Sequence, residues 1–136
     1  MYPLLTMLFT LPGIPMIYSG QEARLNKKLK FFEKDTISWG TFSDEKFYKK
    51  LISLRKMHPV FWSNNTNLEF LDGYTEGVIG YKRWDDKNTY HIILNLSNGR
   101  EKLNNKISHK ILIRDKKSSD QFISPNGFVV YKILNE

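Results

Sequence analysis

Cysteine is absent from the 136-residue sequence. That excludes disulfides, thiolate metal ligands and a cysteine nucleophile. Histidine is sparse: His58, His91 and His109 stand apart, without the spacing of a zinc site. No phosphate-cradling glycine loop and no serine-elbow motif occurs. No Lys or Arg precedes Arg24, so the first residues lack the charged region of a signal peptide. Long apolar runs are also missing. Residues 3–18 come nearest, but a membrane span needs about 20 apolar residues, and Pro3, Pro12, Gly13 and Pro15 break this run. A membrane partner is not expected, and the sequence assigns no compartment.

What is present suffices for a folded core: 40% of residues are hydrophobic and 14% aromatic. The 21 Lys and Arg exceed the 14 Asp and Glu, for a net charge of +7. These cations are spread along the chain, the densest run being "NKKLK" at 26–30. The spread reads as a solvated basic surface, so nucleic acid is not the expected partner.

The chain divides near residue 62. "MYPLLTMLFT" is apolar all round, like the end of a buried helix. "LPG" stops it, and residues 14–18 then form an apolar run without alternation. That pattern predicts a strand covered on both faces, as in a parallel sheet under helices. Ser19, Gly20, Gln21 and Glu22 follow at its carboxyl end, where α/β folds place ligands. A long loop comes next, with Phe31, Phe32, Ile37 and Trp39 as expected anchors. A helix follows, capped by Ser43 or Asp44, striped by Phe47, Leu51, Leu54 and His58, and stopped by Pro59. From Asn64 onward, short β-type runs alternate with turns such as "DDKN" and "SPNG". They predict an antiparallel sandwich. A lone parallel strand beside it has no partners within these residues.

"TLPGIPMIYSGQE" resembles the eighth strand region of α-amylase-type glycoside hydrolases, glycoside hydrolase family 13. "FFEKDTISWGTFSDEKFYKKLISLRKMHPVF" resembles the segment and eighth helix that follow there, and "YHIILNLSN" and "SPNGFVVYKIL" resemble strands of the family's C-terminal sandwich. The resemblance covers the whole chain in order. It implies an α+β arrangement: residues 1–61 as the truncated end of a (β/α)8 barrel, and residues 62–136 as an antiparallel Greek-key β-sandwich. It also implies hydrolysis of α-glucosidic bonds by a carboxylate nucleophile, a general-acid glutamate and a third aspartate. All three map before Met1, as does a histidine–aspartate pair.

No catalytic residue is therefore expected here, and the chain alone is expected to be inactive. A retaining glycosidase needs two carboxyl groups about 5 Å apart. Glu22 with Glu33 or Asp35 is the one pairing to weigh, and it reads better as a rim residue and two loop charges. By resemblance, Tyr18, Gly20, Gln21 and Glu22 line or support the base of the sugar cleft. Trp84, beside a hairpin turn, is the tryptophan most expected to be exposed and to stack on a sugar. No cofactor is expected; calcium belongs to the full-length family, and "DDKN" reads as a turn rather than a calcium loop. The expected partners are an α-glucan or oligosaccharide in the complete enzyme, and either the missing barrel portion or a second copy. The alternatives are a stand-alone carbohydrate-binding or interaction module, and a basic nucleic-acid-binding β-domain.

Overall fold

The computed structural model describes residues 2–40, 42–103 and 108–134. Helix α1 spans Tyr2–Thr10. Its residues are apolar all round, and it buries Leu5 and Phe9 on one side. Its two threonines return their hydroxyls to the helix backbone: Thr6 Oγ1 donates to Tyr2 O at 3.0 Å and Thr10 Oγ1 to Thr6 O at 2.7 Å. This lets both side chains be fully buried at little cost.

Helix α2 spans Glu45–Met57. Tyr48, Leu51 and Leu54 form its buried stripe, and Glu45 pairs with Lys49 one turn on at 2.6 Å. Asp44 stands at the N-cap position, but its side chain makes no cap hydrogen bond. Its carboxylate is taken instead by Arg24 and Tyr2. Pro59 opens a 3-10 turn over Pro59–Phe61 that ends the helical part.

Seven strands follow: β1 (Asn67–Leu71), β2 (Val78–Trp84), β3 (Thr89–Asn95), β4 (Glu101–Lys102), β5 (His109–Arg114), β6 (Phe122–Ile123) and β7 (Phe128–Ile133). Five of them make one sheet in the order β1-β2-β3-β7-β5, and β4 pairs with β6 in a small ribbon. All pairings are antiparallel. The last strand, β7, is inserted between β3 and β5. The β-rich antiparallel part and the two helices give the expected α+β class. The sandwich is lopsided, because the second sheet is only a two-residue ribbon and the helices cover the other face.

Alternation decides which side chain faces which layer. Tyr90, Ile92 and Leu94 of β3, with Phe128 and Val130 of β7, pack with Leu5, Phe9, Tyr48, Leu51 and Phe61 of the helical part. Ile93, Val129 and Tyr131 point the other way, onto Leu103 and Ile123 beside and in the ribbon. Residues before and after position 62 thus share one core. Gly80, in the middle of β2, makes room for the Tyr74 ring: a Cβ there would lie 2.2 Å from Tyr74 Cε2. The "DDKN" turn forms as read, with Asp85 Oδ1 accepting from the amides of Lys87 at 2.9 Å and Asn88 at 2.8 Å.

Arg83 is the unusual core residue. It is 1% exposed and faces no carboxylate among the described residues. Its guanidinium donates to Thr10 O at 2.7 Å, Val60 O at 2.6 Å, Thr66 Oγ1 at 2.6 Å and Asn67 O at 3.2 Å. Arg55 on α2 completes the set, donating to Phe9 O at 3.0 Å and to Gly13 O. The last carbonyls of α1 have no intrahelical donors, and two cations at that end satisfy them and oppose the helix dipole.

Two expectations need correction. Residues 14–18 form no strand, and Ile14 and Met16 are 95% and 72% exposed. A strand exists only through its ladder partners, and no described segment pairs with this one. Phe31 and Phe32 are not anchors. They lie 88% and 94% exposed, touching each other with ring centroids 4.8 Å apart. Nothing among the described residues covers them, whereas Ile37 does pack, against Gly20 and Leu25.

Candidate functional site

The segment that ends the 14–18 run is a tightly wound corner. Gly20 adopts φ 88°, and a 3-10 turn over Gln21–Ala23 follows. Gln21 N donates to Tyr18 O at 2.9 Å, while Tyr18 N donates to Gln21 Oε1 at 3.1 Å. Leu25 N closes the corner on Gly20 O at 3.0 Å. A Cβ at position 20 would lie 3.0 Å from Leu25 and 3.1 Å from Ile37, so both space and backbone sign favour glycine.

Arg24 fastens this corner to both helices. It adopts φ 55° and presents its fork to Asp44, Nε to Oδ2 and Nη2 to Oδ1, each at 2.6 Å. Tyr2 OH donates to Asp44 Oδ1 at 2.7 Å, and Arg24 Nη2 lies 2.7 Å from the same hydroxyl. The Asp44 side chain is fully buried beneath this cover. The hydrogen bonds from Arg24 hold its carboxyl below the usual carboxylate range, against the opposing pull of burial.

A second carboxylate, half-buried, staples the sandwich. Asp115 accepts from Lys117 N at 2.8 Å, Ser124 Oγ at 3.0 Å, Phe128 N at 3.1 Å and the Ser118 hydroxyl. Burial works to raise its pKa, but these donors outweigh it and the net shift is downward. A depressed folded pKa gives stability that is present above the unfolded value of roughly 4 and is lost as pH falls through the folded value. The chain is therefore expected to lose stability below about pH 4. Asp44→Asn should flatten that dependence, as urea melts across the acid range would show; an unchanged slope would contradict it.

The residues expected at the site are gathered only in part. Tyr18, Gly20, Gln21 and Glu22 do form one corner. Tyr18 is 58% exposed, and Glu22 turns inward. Glu22 Oε2 is buried with no hydrogen-bond partner, as is the Tyr48 hydroxyl, whose pKa is raised by burial and then by Asp44 and Glu22. Glu33 pairs with Lys30 at 2.5 Å, and Asp35 with Lys27. Glu33 and Asp35 are thus loop charges held by neighbouring lysines. The corner is closed by its own backbone hydrogen bonds and held to the helices through Arg24.

Trp84 stands elsewhere, at the end of β2, and is only half-exposed. Lys82 Nζ lies 5.0 Å over its ring, which shields one face. Trp62 and Trp39 are the more exposed tryptophans, at 55% and 43%. Trp39 stacks on Phe42 at 5.7 Å, and Trp62 lines an apolar groove of about 480 Å³ with Phe9, Pro15, Ile17 and Ile52. The Arg24–Asp44–Tyr2 and Arg83 networks went unread in the sequence, because their members lie tens of residues apart.

No family model and no curated protein matches the sequence. Solved structures do match the fold. The maltogenic amylase from S. marinus aligns with 96% of this chain at a TM-score of 0.73 and 20% identity, the match covering 19% of that chain. Isomaltulose synthase from Erwinia rhapontici NX5, solved with its natural substrate sucrose, aligns with 65% of this chain at 0.55 and 19% identity, over 17% of its own length. Trehalose-6-phosphate hydrolase from Bacillus licheniformis aligns with 66% at 0.52 and 20% identity, over 18% of its own. The chain thus spans about a fifth of the length of the solved structures it matches. Its fold is that of a portion of each of these three structures.

Proposed function

We propose that these residues form the C-terminal part of an α-amylase-like glycoside hydrolase acting on α-glucans. Residues 1–61 close its (β/α)8 barrel, and residues 62–136 form its C-terminal sandwich. The observation that carries this reading is the alignment of 96% of the chain with the maltogenic amylase. The open 14–18 segment supports it, since an apolar run with Ile14 and Met16 in solvent and no strand partner among the described residues fits a barrel strand without its neighbours. In that enzyme the corner of Gly20 to Glu22, fastened through Arg24, supports the floor of the sugar cleft.

The catalytic carboxylates belong to barrel strands outside this chain, so these residues alone are expected to be inactive. Purified chain should give no turnover of starch, maltodextrin or an aryl α-glucoside. Turnover that disappears in Glu22→Gln would overturn the assignment of no catalytic role to this corner. The coding DNA upstream of Met1 tests the rest of the reading. A frame encoding the remaining barrel strands and their carboxylates is expected, and its absence would refute the enzyme assignment.

A further inference from the structure

Between α2 and β5 the surface opens into a groove of about 710 Å³. Its floor is apolar, formed by Leu54 of α2 and Leu112 and Ile113 of β5, which a bulge after Ile111 turns toward the helix. Its walls are basic, with Lys50 on the helix and Lys110 on the strand, and no carboxylate lines it. Lys49 and Arg114 also reach it but are paired, with Glu45 at 2.6 Å and with Asp120. Lys50 and Lys110 have no ion-pair partner among the described residues. Lys132 lies opposite Lys110 across the ladder and adds to the field. After burial, Lys132 and Lys110 are what hold the His58 imidazole below its usual pKa at one end of the groove.

The shape and chemistry select among anions. β5 is the outermost strand of the five-stranded sheet, and an outer strand is a template for an added one. No Phe, Tyr or Trp lines the groove. Single-stranded nucleic acid draws much of its affinity from stacking on such rings, and here they are missing. An extended peptide needs none. It needs backbone partners, an apolar floor for alternate side chains, and charges for the others.

We propose that this groove docks an extended, acidic peptide segment of a partner protein. Its carboxylates sit between Lys50 and Lys110, and its alternate apolar side chains lie on Leu54, Leu112 and Ile113. This site is separate from the corner at Gly20 and does not depend on the enzyme reading.

The test is fluorescence anisotropy of the full chain with a labelled peptide of about ten residues, roughly two strand lengths, alternating Glu and Val. A peptide of the same composition with its Glu and Val in separate blocks, and a uridine oligomer of similar charge, serve as competitors. Saturable binding is expected, with both competitors weaker. Lys50→Glu with Lys110→Glu should weaken binding by at least about tenfold. Lys27→Glu with Lys28→Glu changes net charge equally outside the groove and should change affinity by less than about threefold. Absence of binding, equal loss in both variants, or equal competition by the block peptide or the oligomer would each overturn the proposal.

Discussion

Replacing Arg83 with methionine is expected to remove a large share of the stability of the fold. The side chain is 1% exposed, and its donors serve acceptors from three separate places: Thr10 at the end of α1, Val60 in the 3-10 turn, and Thr66 and Asn67 at the start of β1. Methionine fills much of the volume but supplies no donor. Each buried acceptor left without a partner costs about 1–3 kcal/mol. Partial relaxation toward water reduces the sum, and a net loss of at least about 3 kcal/mol is expected. A small domain holds only about 5–15 kcal/mol. Arg83→Lys should recover part of the loss, because one ammonium reaches some of the acceptors but cannot span them all. Arg114→Met, at an exposed ion pair, should cost less than about 1 kcal/mol. Urea denaturation of the three variants checks the ranking. A loss below about 1 kcal/mol for Arg83→Met would mean that water reaches these carbonyls.

The second large effect concerns association. Ile14 and Met16 are 95% and 72% exposed, and Tyr18, Phe31 and Phe32 are also open. Covering a large apolar side chain contributes about 1.5–3 kcal/mol, so several together supply enough for a stable contact. On the function proposed above, a neighbouring barrel would cover them. In the isolated chain a second copy is the available cover. The chain is therefore expected to sediment as a concentration-dependent oligomer despite its net charge of +7. Ile14→Lys with Met16→Lys should return it to a monomer without loss of stability, because both side chains are already in solvent. A wild-type chain that stays monomeric at high concentration would contradict this.

The two parts of the molecule differed in how far they could be read from sequence. Helix α2 was legible because its signals are local: a polar start at Asp44, an apolar stripe and the stop at Pro59, although the stripe read as Phe47, Leu51, Leu54 and His58 is in fact buried at Tyr48, Leu51 and Leu54. β2, β3 and β7 were legible because short apolar β-type runs lie between strong turns. β4 went unseen, since its two residues are defined only by pairing with β6. The 14–18 run shows the limit most clearly. Its composition is that of a buried strand, but burial is a property of neighbours, and no described segment provides them. Arg83 shows the converse. Nothing local marks it for burial, although it lies two residues from the buried Tyr81 on β2. Only the arrival of carbonyls from residues 10, 60 and 67 decided in favour of burial.

The position of β7 ties the fold to the order of synthesis. It lies between β3 and β5, so the sheet stays split until residues 128–133 emerge from the ribosome. Before then Ile92, Ile93 and Leu94 border an empty slot, and such an open edge invites wrong pairing. A nascent chain stalled at Gly127 would lack the strand that pairs with both β3 and β5. Premature stop codons ahead of Phe128 should therefore be as damaging as ones placed much earlier in the message.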